Sequence, residues 1–309
     1  MKVLITGADG FIGRAAVIAL MESGISVRGS SRTSGETNNV AVGDIGPDTN
    51  WLPALEDVDT VVHTAARVHV MNDSPNDAVS ELRKVNVEGT LNLARQATAA
   101  NVKRFIFISS IKVNGESTER GKPFTADDQP NPVDPYGLSK LEAEIGLRQL
   151  AKESGLEVVI IRPPLVYGSG VKANFQSMMH WVNRGVPLPL GSTNNKRSFV
   201  ALGNLVDLIV TCIDHPAAAN QTFLVADGED LSTTELLRRM AGVLGKPSRL
   251  IVFPVSLLTF VASLLGLKTA AQRLCGSLQI DISKTRKLLG WEPPVSVDEG
   301  LRSTVVCTK

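Results

Sequence analysis

Lys2-Val3-Leu4-Ile5-Thr6-Gly7-Ala8-Asp9-Gly10-Phe11-Ile12-Gly13 opens the chain and decides its fold. The apolar run Lys2–Thr6 reads as a strand, and Phe11–Ser23 reads as an amphipathic helix. Three glycines at three-residue spacing join them. Gly7 permits the tight turn out of the strand, Gly10 lets the backbone approach a pyrophosphate, and Gly13 lets the helix pack closely on the sheet. Free N–H groups at the helix start, with the helix dipole, then hold an anion. Following a strand and opening a helix is the context that gives such a triplet meaning.

Outward from this turn, strand and helix patterns alternate. Strands are expected at Ser26–Gly29, Val40–Val42, Thr60–His63, Arg104–Ile108 and Glu157–Ile161. Asp77–Ala100 reads as one long helix, with Val79, Leu82, Val85 and Leu93 on its apolar face, and Asp134–Ser154 as another. Repeated β-then-α units imply a parallel sheet covered on both faces, wound with right-handed crossovers. The expected class is α/β, a doubly wound parallel Rossmann sheet over residues 1–165. Beyond Pro163-Pro164 the regularity breaks, with Gly168–Gly170, Pro187, Pro189 and Gly191 as punctuation. Helices are expected at Asn174–Arg184, Asn204–Asp214 and Thr233–Leu244. Residues 166–309 are read as a smaller α/β substrate lobe, with segments near 198–225 returning to the main sheet.

The chain has 309 residues, 32 Lys plus Arg and 31 Asp plus Glu. That length can bury a large core, and the near-neutral balance argues against a nucleic-acid partner. Cys212, Cys275 and Cys307 are odd in number and widely spaced, so no disulfide framework is expected. His63, His69, His180 and His215 form no ligand pattern, and no metal is expected. A strand beginning at Lys2 leaves no room for a signal peptide, so a cytoplasmic protein is expected. The apolar stretch Leu250–Leu267 is short for a membrane span, contains Pro254 and carries several Ser and Thr; a buried or groove-lining helix is expected there, with surface contact with a membrane as the alternative.

A chain that binds NAD usually ends its second strand with a carboxylate for the ribose hydroxyls. This one has Ser30-Ser31-Arg32 instead. A carboxylate repels a 2′-phosphate and a guanidinium attracts it, so NADP(H) is favoured and NAD(H) is the alternative. Asp44-Ile45, after the third strand, is placed to touch adenine. Tyr136 and Lys140 are four apart on one helix face. An ammonium about 4 Å from a phenol, at an effective dielectric near 20, is worth about 4 kcal/mol, or about three pKa units, in favour of the phenolate. Such a phenol exchanges a proton with a carbonyl or alcohol while a nicotinamide exchanges a hydride. Ser109-Ser110, just past the fifth strand, puts a hydroxyl where open α/β sheets bind ligands.

With Arg162-Pro163 and the late Leu289-Gly290-Trp291-x-Pro293, these motifs resemble the extended short-chain dehydrogenase/reductase family of the NAD-dependent epimerase/dehydratase type, over almost the whole chain. The resemblance implies that Ser110, Tyr136 and Lys140 form a catalytic triad. It implies that Gly7, Gly10, Phe11, Ile12, Gly13, Ser31, Arg32, Asp44, Ile45, Ala65, Ala66, Asn86, Tyr136, Lys140 and Pro163 serve the cofactor, with Ala65 and Ala66 in a loop lining it. Tyr167-Gly168 follows the sixth strand as in family members. The family usually acts on nucleotide sugars as a homodimer.

Asn174-Phe175 and Arg197-Ser198-Phe199-Val200 resemble the family's nucleotide-diphosphate contacts, with Arg197 and Arg273 expected at the diphosphate. Two departures stand out. Val113-Asn114-Gly115 replaces the Tyr-Gly that many epimerases carry, and the acid that selects NAD is absent. The stretch Phe107 to Gly115 resembles a bacterial subgroup that makes surface-polysaccharide sugars, in which Lys112 touches the sugar or diphosphate or is simply solvated. The expectation is therefore an NADPH-dependent reductase of a 4-keto-6-deoxy UDP-N-acetylhexosamine, with a UDP-sugar 4-epimerase as the alternative.

Overall fold

The computed structural model describes residues 1–33, 39–68 and 75–306; the side chains of residues 75–78, 173–174, 268–270 and 306 are outside the description. His69 and Cys307 lie outside the described residues. Ten strands are described: β1 Lys2–Thr6, β2 Ser26–Ser31, β3 Asn39–Ala41, β4 Thr60–His63, β5 Arg104–Ile108, β6 Glu157–Arg162, β7 Leu165–Tyr167, β8 Arg197–Ala201, β9 Thr222–Leu224 and β10 Asp230–Leu231. The helices are α1 Phe11–Glu22, α2 Leu52–Leu55, α3 Pro75–Arg83, α4 Thr90–Ala99, α5 Pro135–Ser154 and α6 Ala173–Asn183. They continue with α7 Leu202–Asp214, α8 Thr233–Val243, α9 Val255–Leu264, α10 Lys268–Cys275, α11 Ser283–Leu289 and α12 Val297–Val306.

Seven strands form one parallel sheet in the order β3-β2-β1-β4-β5-β6-β9. The order reverses between β1 and β4, which opens a crevice at the carboxyl ends of the strands. Alternate strand residues serve opposite layers. Val3, Ile5, Val62, Ile106 and Ile161 pack with α1 and α7 residues such as Leu20, Leu205 and Leu208. Leu4, Val61, Phe105, Phe107 and Ile160 pack on the other face with Leu93, Ala97, Ala143 and Leu147 of α4 and α5. A three-stranded sheet, β10-β8-β7, carries a separate apolar cluster with α6, α8 and α12.

Several elements differ from the sequence reading. β2 runs two residues past Gly29, because its parallel register with β3 continues to Ser31 and Ala41. The long helix is interrupted by a π-helical turn at Lys84–Gly89 between α3 and α4. There a Cβ on Gly89 would meet Ile45 Cγ2 at 2.6 Å, so the wide turn presses bare backbone against the Asp44-Ile45 loop. The apolar stretch 250–267 is not buried as expected: no residue of α9 is buried, though Leu250 and Leu258 pack against the apolar cluster of the smaller sheet. Ser256, Thr259 and Ser263 share one side of α9 and its other side is apolar, but the pattern does not say what that apolar side meets. Among the described residues no helix is long and apolar enough to cross a membrane.

A fully buried ion pair locks α5 to the sheet. Arg162 Nε and Nη2 donate to Glu144 Oε1 and Oε2 at 2.9 and 2.6 Å. Removing one partner leaves a charge buried and unpaired. Glu144→Ala should therefore lower the unfolding free energy by about 3–5 kcal/mol in urea titrations, and adding Arg162→Met should restore part of that loss.

Candidate active site

The turn after β1 has the geometry the glycines require. Gly7 takes φ +66°, and Gly10 N–H donates to Gly7 O at 2.8 Å. A Cβ on Gly13 would lie 2.1 Å from Gly7 O, so α1 can start this close to the strand only with glycine there. No side chain caps α1 and its first turn carries no acid, which leaves the helix start free for an anion. It faces a cleft of about 1200 Å³ over the carboxyl ends of the strands. Lining that cleft are Gly7, Gly10, Phe11, Ile12, Gly13, Ser31, Arg32, Asp44, Ile45, Ala65, Ala66, Ser110, Tyr136, Lys140 and Pro163. Ser30 also lines it, and its Oγ is buried with no hydrogen-bond partner among the described residues. An orphaned hydroxyl at the end of β2 fits a ligand with hydroxyls, such as an adenosine ribose. The bare-backbone turn and this hydroxyl together fit a dinucleotide.

Asp134 caps α5, accepting from Gly137 N–H at 2.7 Å, and Pro135 occupies the first helical position. One turn places Tyr136 at the cleft, and the next places Lys140, whose Nζ donates to Ile108 O at 2.9 Å. That ammonium lies 4.4 Å from the Phe107 ring centroid and 6.0 Å from that of Tyr136. Sequence reasoning expects the ammonium to pull the phenol down. Instead, burial first and the Asp134 carboxylate second push Tyr136 up to about 12. Burial lowers Lys140 to about 7, against the raising effect of Glu144. Both groups shift toward their neutral forms because desolvation is the largest effect on each.

Ser109 and Ser110 part company at the end of β5. Ser109 Oγ donates to Glu144 Oε1 at 2.6 Å, inside the buried network, whereas Ser110 lines the cleft and its Oγ accepts from Lys112 N–H at 3.2 Å. The Glu144 carboxylate also accepts from Arg148 Nη2 at 3.2 Å. Asn114, at the position of the sequence departure, accepts from Arg162 Nη1 at 2.9 Å and donates to Thr125 O. Glu144 and Arg162 were not singled out as positioning residues, yet Tyr136, Lys140, Glu144 and Arg148 make a four-residue-spaced stripe on α5 that signals them. Asn86 does not line the cleft. It is buried, and its side chain clamps Arg67 N and O at 2.8 and 3.0 Å and donates to Ser139 Oγ, fixing the Ala65-Ala66 loop to α5.

The residues expected on the substrate side separate. Lys112 is paired with Asp134 and, at 3.3 Å, with Glu116, and it does not line the cleft. It ties the turn after Ser110 to the start of the Tyr136 helix. Arg197 donates to Gly276 O at 3.0 Å, and burial, then the nearby Arg273, lower its guanidinium. Arg273 also acts on Asp134 electrostatically, so it lies between β8 and the α5 cap. Asn174 belongs to α6, and its side chain lies outside the described residues.

A parallel sheet with its order reversal, a bare-backbone turn into a helix and a Ser-Tyr-Lys wall on one cleft define a nicotinamide-dinucleotide-dependent enzyme. The sequence profile of the NAD dependent epimerase/dehydratase family matches residues 3–226, and the chain belongs to that family. A UDP-glucose 4-epimerase of Vibrio cholerae is 50% identical, over 98% of this chain and 94% of its own length. The N-acetyl-alpha-D-glucosaminyl-diphospho-ditrans,octacis-undecaprenol 4-epimerase of Escherichia coli O157:H7 is 27% identical over 98% of this chain and 94% of its own. Among solved structures, MoeE5 in complex with UDP-glucuronic acid and NAD superposes with a TM-score of 0.79 at 25% identity, covering 100% of this chain and 99% of that one.

His63 lies beneath the cleft, with Nδ1 2.6 Å from Thr6 Oγ1 and Nε2 3.0 Å from Thr90 Oγ1. Burial first, and the Lys140 charge second, lower its imidazole from 6.5 to about 3. Between those values the unfolded chain holds a proton there that the folded chain does not, so stability falls as pH falls. The contribution is about 1.4 kcal/mol per pH unit. In His63→Gln the unfolding free energy should therefore depend less steeply on pH between 6 and 4, by about 1 kcal/mol per unit.

Proposed function

We propose that this enzyme is a UDP-sugar 4-epimerase acting through Ser110, Tyr136 and Lys140. The observation that carries the reading is the gathering of these three on one wall of the cleft that begins at the Gly7–Gly13 turn. The half-identical relative named a UDP-glucose 4-epimerase favours epimerisation over the 4-keto reduction expected from sequence. Gly10 and Gly13 would hold the pyrophosphate, Ser30 and Arg32 the adenosine ribose, and Lys140 the nicotinamide ribose. A dinucleotide held there would supply reversible hydride transfer at C4, and its oxidised form a positive charge that favours the phenolate. Tyr136 Oη takes the proton from the C4 hydroxyl and later returns it, while Ser110 Oγ holds that oxygen. Lys140, held near 7, can exchange a proton with Tyr136 at neutral pH. Arg197, whose guanidinium is lowered by burial and then by nearby Arg273, would clamp the substrate diphosphate together with Arg273.

Incubation with UDP-glucose, UDP-galactose or their N-acetylamino counterparts, followed by proton NMR, should show interconversion at C4 without net consumption of reduced cofactor. Stoichiometric loss of NADPH with a 4-keto-6-deoxy UDP-sugar, and no C4 interconversion, would instead establish the reductase. Tyr136→Phe should lower kcat at least ~100-fold with KM largely kept.

The cofactor preference rests on this chain's own residues. With Ser31 where a carboxylate often stands and Arg32 exposed on the cleft, the site accepts a 2′-phosphate as well as the free ribose. Arg32→Asp should weaken NADP(H) binding by at least about tenfold and leave NAD(H) binding within about threefold, by fluorescence titration.

A further inference from the structure

Helix α9 reads VSLLTFVASL and has no charged side chain, yet none of its residues is buried. Its flanks are apolar too. Val252, Phe260, Leu264 and Leu265 are 76%, 60%, 72% and 68% exposed. Ser256, Thr259 and Ser263 fall on one side of the helix, and a contiguous exposed apolar surface such as the rest presents rarely faces water alone.

The charge around it is one-sided. Residues 158–206 and 236–280 contain no Asp or Glu but eleven Lys and Arg, although the whole chain is nearly balanced at 32 against 31; of the eleven, Arg162 is buried against Glu144 and Arg239 pairs with Glu229 and Asp298. These two stretches meet at the surface. Leu188 N–H donates to Arg249 O and Ile251 N–H to Leu188 O, joining the segment after α6 to the segment before α9. Arg249 Nη1 reaches Gly185 O at 3.5 Å. Exposed Arg184, Lys246 and Arg249 stand there with exposed Trp181, Val186 and Ile251.

We propose that this face docks on an anionic lipid bilayer, with α9 lying in the plane of the interface. Aliphatic side chains beside cations, with no carboxylate in either segment, match acyl chains beneath anionic headgroups, and a Trp at the rim suits the interface. The helix is too short to span. Because α10, which carries Arg273, packs on α9, docking brings the headgroup layer to the Arg197 and Arg273 side of the molecule. The proposal does not depend on the reaction proposed above.

The test is cosedimentation of the full-length protein with phosphatidylcholine vesicles, with and without phosphatidylglycerol. Binding should be at least about tenfold stronger with phosphatidylglycerol and should weaken as salt rises. Phe260→Ser/Leu264→Ser/Leu265→Ser should lower it by about tenfold or more with the melting temperature and dinucleotide binding unchanged, since all three side chains are exposed. Lys246→Glu/Arg249→Glu should remove the preference for anionic lipid. Failure of the wild type to bind phosphatidylglycerol vesicles would overturn the proposal, as would binding that survives both sets of substitutions. So would a lipid-free oligomer, seen by analytical ultracentrifugation, that the triple substitution dissociates: a second copy would then cover the face.

Discussion

Burying Glu144 against Arg162 constrains everything near the cleft. One carboxylate on α5 accepts from a guanidinium on β6 and a hydroxyl at the end of β5, so the helix cannot slide or rotate on the sheet without exposing or orphaning a charge. Such a pair adds little net stability, because desolvation offsets the attraction. What it contributes is placement. Glu144 is one helical turn beyond Lys140 and two beyond Tyr136, and Ser109 is adjacent to Ser110. Fixing Glu144 and Ser109 therefore fixes the three cleft residues relative to one another.

A second set of contacts holds the cofactor wall to the same helix. Asn86 projects from a π-helical turn, clamps the backbone of Arg67 and reaches Ser139 on α5. The Lys112 and Asp134 ion pair does a similar job at the other end, joining the turn after β5 to the cap of α5. The cleft is thus built on rigid elements, with its side chains oriented by buried polar contacts rather than by exposed loops. Burial has an electrostatic consequence as well: Tyr136, Lys140 and His63 are all driven toward neutrality.

The molecule is also divided by charge. The segments around α6, α9 and α10 carry cations and aliphatic surface and no Asp or Glu of their own, although Glu229 and Asp298 nearby pair with Arg239. A chain whose totals nearly cancel can therefore present a strongly basic face, a property that net charge conceals.

By itself the sequence determined the architecture and the identity of the reactive groups. Continuous apolar strand runs alternating with helical stripes permit little besides a doubly wound sheet, and Gly7, Gly10 and Gly13 occupy a turn that side chains would block. Tyr136 and Lys140 share a face because helical spacing is a local property. Tertiary structure decided what depends on contacts far apart in the chain. It chose Ser110 over Ser109 for the cleft, since only packing of α5 shows which serine the Glu144 carboxylate takes. It turned Asn114, an apparent departure, into a partner for buried Arg162, and moved Asn86 from the cleft wall to the clamp behind it. It reversed the expected shift of the Tyr136 phenol, because desolvation depends on the whole surrounding volume. It also left α9 on the surface, where hydrophobicity suggests burial: an apolar helix face reads the same in sequence whatever it meets.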